Sequence, residues 1–349
     1  MKASLREHLV CGSTFGAMHA AASHAAGCQL VGVLGKGSER TRLLAESRGV
    51  PLFAGAESAP SPADGDGVAS VALRAPALGG CSVDVAVRLM ERGWDVLVEA
   101  PLGKEDVMTL AKASRDIGRV FRVANHYANL APVAAFVRAA KVLLARGARG
   151  CCLEASSSSH TLFHALSVAS AVRPGDALRL DGQPVSTGTF SMAVGSLGPL
   201  PIVLKVCNEA AAVASDFNAR SAIGLNLSSP RGELSLAGAA GPLVWYPSLE
   251  LEGTDECGMP LADRRRASSM VLVVAAEKAM SSWMASDWVE AVAADVAGCV
   301  AGPGNRKALA ASLIQAQNWE RAVSAIGFPS IVEAQAMPPV YGPELLEQG

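Results

Sequence analysis

The chain has no C-x-x-C pair and no zinc-type spacing among its eight cysteines, Cys11, Cys28, Cys81, Cys151, Cys152, Cys207, Cys257 and Cys299. The spacing therefore excludes a zinc ribbon or a thioredoxin-type redox motif. No uninterrupted apolar stretch approaches the roughly 18 residues of a membrane span, so no spanning helix and no membrane partner are expected. The start, Met1 to His8, carries three charges and is followed by only a short apolar run before Gly12, too little for a signal-peptide core. The expectation is a cytoplasmic protein whose cysteines are free, buried thiols. Charge is also scarce: 18% of residues are charged and the net charge is −2. A polyanion-binding surface, and with it a nucleic-acid partner, is not expected.

What the chain has is apolar substance. Half of its 349 residues are hydrophobic, enough to bury a large core, and the length suits two domains that share a core or interface. The opening pattern is strand, small-residue turn, helix: His8-Leu9-Val10-Cys11, then Gly12-Ser13-Thr14-Phe15-Gly16, then an Ala-rich run from Ala17 to Ala26. Such a turn lets backbone N–H groups meet a pyrophosphate. The match to G-x-G-x-x-G is incomplete, with Thr14 at the second glycine and His19 near the third, and a purely structural β-α turn remains the alternative.

The strand Gln29–Leu34 ends in Leu34-Gly35, with Lys36, Ser38 and Arg40 following. An NAD site needs an Asp or Glu at this strand's end for the ribose hydroxyls, whereas a 2′-phosphate calls for Arg, Lys or Ser. The cofactor expected is NADPH; Glu39 leaves open a merely solvated charged loop. Further on come a strand Val68–Leu73, a helix Ser82–Arg92, the strand Val96-Leu97-Val98 leading into Glu99-Ala100-Pro101, a helix Lys104–Ile117 and a strand Arg119–Val123. This alternation predicts a parallel, doubly wound sheet. Glu99 and Pro101 fall at a strand's carboxyl end, where open α/β sheets bind ligands.

Glu99-Ala100-Pro101 resembles the Glu-Lys-Pro signature of the Gfo/Idh/MocA oxidoreductases. Together with Gly12-x-x-Phe15-Gly16, Leu73-Arg74-x-x-x-x-Gly79-Gly80 and Asn125-His126-Tyr127, it resembles that family's thiazolinyl imine reductases of siderophore assembly. The resemblance carries motifs over about residues 1–170. It implies an α/β protein in which a Rossmann domain with a doubly wound parallel sheet (residues 1–125) precedes an α+β substrate and dimerisation domain with an open, mostly antiparallel sheet (residues 126–349). It further implies NADPH-dependent reduction of a thiazoline C=N to a thiazolidine, on a substrate tethered to the carrier domain of a nonribosomal peptide synthetase. Gly12, Thr14, Phe15, Gly16, Arg74, Glu99 and Pro101 would serve the cofactor beside Lys36, Ser38 and Arg40. The resemblance makes Tyr127 the candidate proton donor, as the family's tyrosine at this place is. At Ala100 the family keeps a Lys and the imine reductases a His, so a methyl group stands where a proton donor usually does.

A chemical absence agrees with this. Oxidising an alcohol needs a base, which in the family is that Lys with an Asp-x-x-x-His pair on the second domain's first helix. Here no Asp lies four residues before His160 or His164. Imine reduction needs only one proton at nitrogen, and the Tyr127 phenol, with an ordinary pKa near 10, is protonated at neutral pH. A core aromatic is the alternative role. If the strand continues past Val123, His126 and Tyr127 point to opposite faces and one of them reaches the pocket.

Later signals are weaker. His160 and His164 are one helical turn apart, but Thr161 stands where a zincin has Glu, so packing or a place in the substrate pocket suits them better than a metal. Runs at Ile202–Cys207, Gly232–Ala237 and Leu243–Tyr246 predict antiparallel strands, and by analogy a homodimer. Asp263-Arg264-Arg265-Arg266 is either a carrier-domain contact or a solvated helix start, and Asn305–Ile326 reads as a helix packing back on the first domain. Two other functions stay open: a family oxidoreductase acting on a free small molecule, and a non-catalytic NADP-binding partner of the assembly line.

Overall fold

The computed structural model describes residues 5–147, 149–211, 223–248, 251–262, 271–274, 278–302 and 306–333. Its first half alternates β1 (Arg6–Cys11), α1 (Gly16–Ala22), β2 (Cys28–Leu34), α2 (Glu39–Arg48), β3 (Leu52–Phe53), β4 (Gly67–Val71), α3 (Ser82–Glu91), β5 (Asp95–Val98), α4 (Lys104–Ile117) and β6 (Phe121–Val123). The strands form one parallel sheet in the order β3-β2-β1-β4-β5-β6, as the doubly wound reading requires. Leu9, Val10, Val68, Val71, Val96 and Val98 are fully buried, because helices cover both faces and leave such strands apolar on both sides. The order reverses between β1 and β4, so a crevice opens at the carboxyl ends there. Gly12 stands at that point with φ +93°, and a Cβ on it would meet the Ala72 carbonyl oxygen at 2.4 Å. Only glycine fits.

The second half builds an eight-stranded sheet. After α5 (His126–Asn129) and α6 (Ala131–Ala145) come β7 (Cys152–Ser158), α7 (Leu162–Val172), β8 (Leu178–Thr187), β9 (Phe190–Leu197), β10 (Leu200–Cys207), β11 (Glu209–Ala211), β12 (Ile223–Ser229), β13 (Gly232–Leu236), β14 (Leu243–Pro247), β15 (Leu251–Thr254), β16 (Pro260–Ala262) and β17 (Val271–Val274). The order β17-β14-β13-β12-β7-β10-β9-β8 is antiparallel throughout except for the parallel β7–β10 pair. Leu153, Ala155, Leu225 and Leu227 are buried toward α6 and α7 while Glu154 is exposed, the alternation of a sheet covered on one face.

Last come α8 (Met280–Trp283), a π-helical turn at Met284–Trp288, α9 (Val289–Val300), α10 (Arg306–Ile326) and β18 (Ser330–Val332). The expected C-terminal helix does pack back: Leu313 and Ala316 of α10 join the core of the parallel sheet, while Trp319 and Ala322 join that of the large sheet. Glu320 accepts the Lys104 N–H at 2.7 Å, at the start of α4. Helix α9 also returns, burying Val292, Val296 and Cys299 against Ala22 and Leu97.

Two expectations need correction. Helix α1 ends at Ala22 rather than Ala26, because the Ser23 hydroxyl bonds back to the Ala20 carbonyl and the chain turns at Gly27, with φ +72°, into β2. The thiols are not all buried: Cys81 and Cys257 are exposed. Residues 263–266 lie outside the described residues. None of the described helices is long and apolar enough to cross a membrane.

Candidate active site

At the carboxyl end of β5 the buried strand delivers Glu99 into a closed polar cluster. Glu99 is 8% exposed and His19, His126, Tyr127 and His164 are each 6% or less. His19, from α1, donates through Nε2 to Glu99 Oε2 at 3.2 Å. The other oxygen, Oε1, faces His126 Nδ1 at 3.6 Å. The His126 and Tyr127 ring centres are 4.9 Å apart, Tyr127 and His164 are 4.5 Å apart, and Trp288 on the π-helical turn lies 5.7 Å from His126 and 5.5 Å from Tyr127.

The strand does not continue past Val123, so the condition that would oppose His126 to Tyr127 is not met. Asn125 leaves the extended region (φ −142°, ψ 42°) and residues 126–129 form the turn α5. Asp295 on α9 accepts the Asn125 N–H at 2.6 Å, and the Ser167 hydroxyl donates to Asn125 Oδ1 at 2.9 Å, so two distant helices hold the turn. On a helix turn adjacent residues are about 100° apart rather than opposed, and both His126 and Tyr127 reach the cluster. The His160 and His164 pairing also fails: a 3₁₀ turn at Ser159–Thr161 precedes α7, leaving His160 exposed while His164 enters the buried cluster.

Burial pushes the Glu99 carboxyl up, but attraction from His126, the His19 hydrogen bond and further attraction from His19 and His164 outweigh it and hold it below the ordinary carboxylate range. Burial lowers His126 against the pull of Glu99, and burial with the neighbouring His126 lowers His164 to about 3. Both imidazoles are therefore neutral at neutral pH. Burial and then the Glu99 charge raise the Tyr127 phenol, which stays protonated. Asp295 is raised to about 6 by burial, against the hydrogen bonds from Asn125 and Asn129. The Nδ1 atoms of His19, His126 and His164 are buried without a hydrogen-bond partner. A buried polar atom without a partner calls for an explanation such as a catalytic role, a water or an ion, and three of them converge in this one cluster.

Away from the cluster, the loop after β2 closes on the turn after β1. Arg40 donates through Nη1 to the Thr14 hydroxyl at 2.7 Å, Thr41 donates to Ser13 at 3.3 Å, and Ser38 caps α2 by accepting the Thr41 N–H. Lys36 is exposed beside them, and Gly35 ends β2 without a carboxylate. Gly16 is buried against Val10, where a Cβ would sit 3.1 Å from Cγ1, and Phe15 is exposed at the start of α1. Arg74 is exposed in the loop after β4, and a Cβ on Gly80 would overlap the Arg74 carbonyl. Ala100 is half-buried, joined to Pro101 by a cis peptide bond and packed on the core of the large sheet.

Glu99, His126 and Tyr127 are site residues by sequence, and His164 has a place in the pocket; His19 as the partner of Glu99, and Trp288 and Asp295, are brought to the site by the fold. His19 lies three residues after Gly16 and so on the same face of α1 as the glycine that packs on β1, a signal that was available. Nothing local in the sequence links Trp288 or Asp295 to Glu99, His126 and Tyr127, more than 150 residues earlier.

Residues 7–125 match the family model described as the Gfo/Idh/MocA oxidoreductase family, NAD-binding Rossmann fold. No curated protein matches the chain. Among solved structures, it is similar to an oxidoreductase from Agrobacterium radiobacter in complex with NAD+, L-tartaric acid and magnesium. That alignment has a TM-score of 0.63 and 13% identity, covering 93% of this chain and 96% of the other. Levoglucosan dehydrogenase, in complex with NADH and levoglucosan, aligns with a TM-score of 0.63 and 12% identity over 92% and 97% of the two chains. UDP-N-acetylglucosamine 3-dehydrogenase from Acidithiobacillus ferrooxidans aligns with a TM-score of 0.61 and 17% identity over 93% and 99%. The match to the family model covers residues 7–125 alone, and the likeness to these solved structures, which extends through the large open sheet, is one of fold.

Proposed function

We propose that the protein is an NADPH-dependent reductase that converts a thiazoline C=N to a thiazolidine on a substrate carried by a nonribosomal peptide synthetase. The observation that carries this reading is the protonated, buried Tyr127 hydroxyl beside Glu99, at a site where residue 100 is Ala. The reduced nicotinamide supplies hydride when bound. The chain's own residues supply the rest: Tyr127 gives the proton to nitrogen, Glu99 fixes His19 and His126, and Trp288 with Tyr127 forms the apolar wall that excludes water. Preference for a 2′-phosphate is supported by Lys36, Ser38 and Arg40 and by the missing carboxylate at the end of β2. The reading includes a nucleotide-binding domain of residues 1–125, a substrate domain of residues 126–349, a homodimer and a cytoplasmic setting.

A second reading has one observation in its favour. His164 is buried in the cluster next to Tyr127, a position from which an imidazole can act as base toward the hydroxyl of a free small-molecule alcohol. A turnover assay separates the two. NADPH consumption with a carrier-bound thiazoline thioester supports reduction, oxidation of a free polyol supports the second reading, and cofactor binding with neither turnover indicates a non-catalytic partner.

A further inference from the structure

We infer that Glu99, His126 and His164 form a binding site for a zinc-type divalent cation. Among the described residues, one donor atom from each of the three lies within 4.8 Å of the others, and all three residues are buried. Two imidazoles and one carboxylate are the donor set of catalytic zinc sites, which keep a fourth position open. The Nδ1 atoms of His126 and His164 are buried and without a hydrogen-bond partner.

Ligands of a tetrahedral ion at about 2.0–2.1 Å are themselves about 3.3–3.5 Å apart, and Glu99 Oε1 and His126 Nδ1 already stand at 3.6 Å. A side-chain rotation brings the third ligand in. His19 holds the far oxygen of Glu99 at 3.2 Å and so aims Oε1 at His126, the outer hydrogen bond that usually orients a ligating carboxylate. The ligands come from the end of β5, from α5 and from α7, with the turn that carries His126 anchored by Asp295 and Ser167 through Asn125. The ion therefore joins the parallel sheet to the helices of the large sheet. Its role deepens the reduction proposed above and rests on it: the cation supplies the positive charge that Ala100 does not, polarising the substrate nitrogen without contributing electrons. The binding itself does not depend on that reading.

The full chain, stripped with chelator and free of nucleotide, is titrated with Co²⁺ and then with Zn²⁺. One Co²⁺ per chain is expected, with the intense visible bands of four- or five-coordinate cobalt, lost on adding Zn²⁺. Glu99→Gln and His164→Gln abolish the bands, His19→Gln weakens binding about 10–100-fold, and His160→Gln, at an exposed position, leaves it unchanged. Thermal melts show which variants fold, and the cobalt spectrum of the unaltered chain stands whatever they show. Absence of bound Co²⁺, or bands that survive in folded Glu99→Gln and His164→Gln proteins, overturns the site. Thiazoline reduction by an ion-free chain overturns the ion's role but leaves the proposed function standing; an ion bound without thiazoline turnover overturns the proposed function, and with it the ion's role, but leaves the binding site standing.

Discussion

Arg40 Nη1 donates to the Thr14 hydroxyl at 2.7 Å, tying the loop after β2 to the turn after β1. The guanidinium thereby stands beside the turn at the switch point of the sheet, with Ser38 and Lys36 on the same loop. NADPH should bind more tightly than NADH. A hydrogen bond to a charged group contributes about 1.5–3 kcal/mol, so Arg40→Ala should weaken NADPH by about 10–100-fold and leave NADH nearly unchanged. Fluorescence titration of both nucleotides measures this, and equal affinities in the unaltered protein remove the reason for assigning NADP.

Tyr127 is protonated at every working pH, because burial and the Glu99 charge both raise its phenol. Tyr127→Phe should lower kcat by the ~10²–10⁴-fold of a lost general acid, with NADPH affinity intact. An unchanged kcat would assign the proton to water or to His126.

His8 tests the packing of the parallel sheet without touching the site. It is fully buried between the Ser23 and Ser70 hydroxyls, both at 2.8 Å, and burial followed by repulsion from His19 lowers its pKa from 6.5 to about 3. The folded state keeps the ring neutral while the unfolded chain takes up a proton below pH 6.5. Its contribution to stability is thus whole above 6.5 and is lost as pH falls toward 3, at about 1.4 kcal/mol per pH unit. Urea unfolding between pH 7 and 5 should show a shallower loss in His8→Gln than in the unaltered protein, even though the variant starts lower. Parallel slopes would mean that His8 is charged in the fold.

The parallel sheet was legible because its strands are buried on both faces and read as apolar runs that alternate with helices at short intervals. Helix α4, Lys104–Ile117, fell on its expected bounds. The site was legible only in part. Glu99 announces itself at a strand end, but the turn at Asn125 depends on Asp295 and Ser167, 170 and 42 residues away, so a local reading allows the strand to continue and to oppose His126 to Tyr127. His164 enters the cluster because a 3₁₀ turn precedes α7 and throws His160 outward, a register that helical spacing alone does not reveal.

The central claim is that hydride goes to the carbon of a C=N bond at the Glu99 and Tyr127 site, and the most direct measurement is isotopic. A single turnover with NADPH deuterated at nicotinamide C4, on one face and then on the other, is followed by mass spectrometry of the product released from the carrier. The account predicts one deuterium on the thiazolidine carbon for one of the two labels, and its loss with Tyr127→Phe in proportion to rate. A thiazoline recovered unreduced while both labels stay on the cofactor would contradict it.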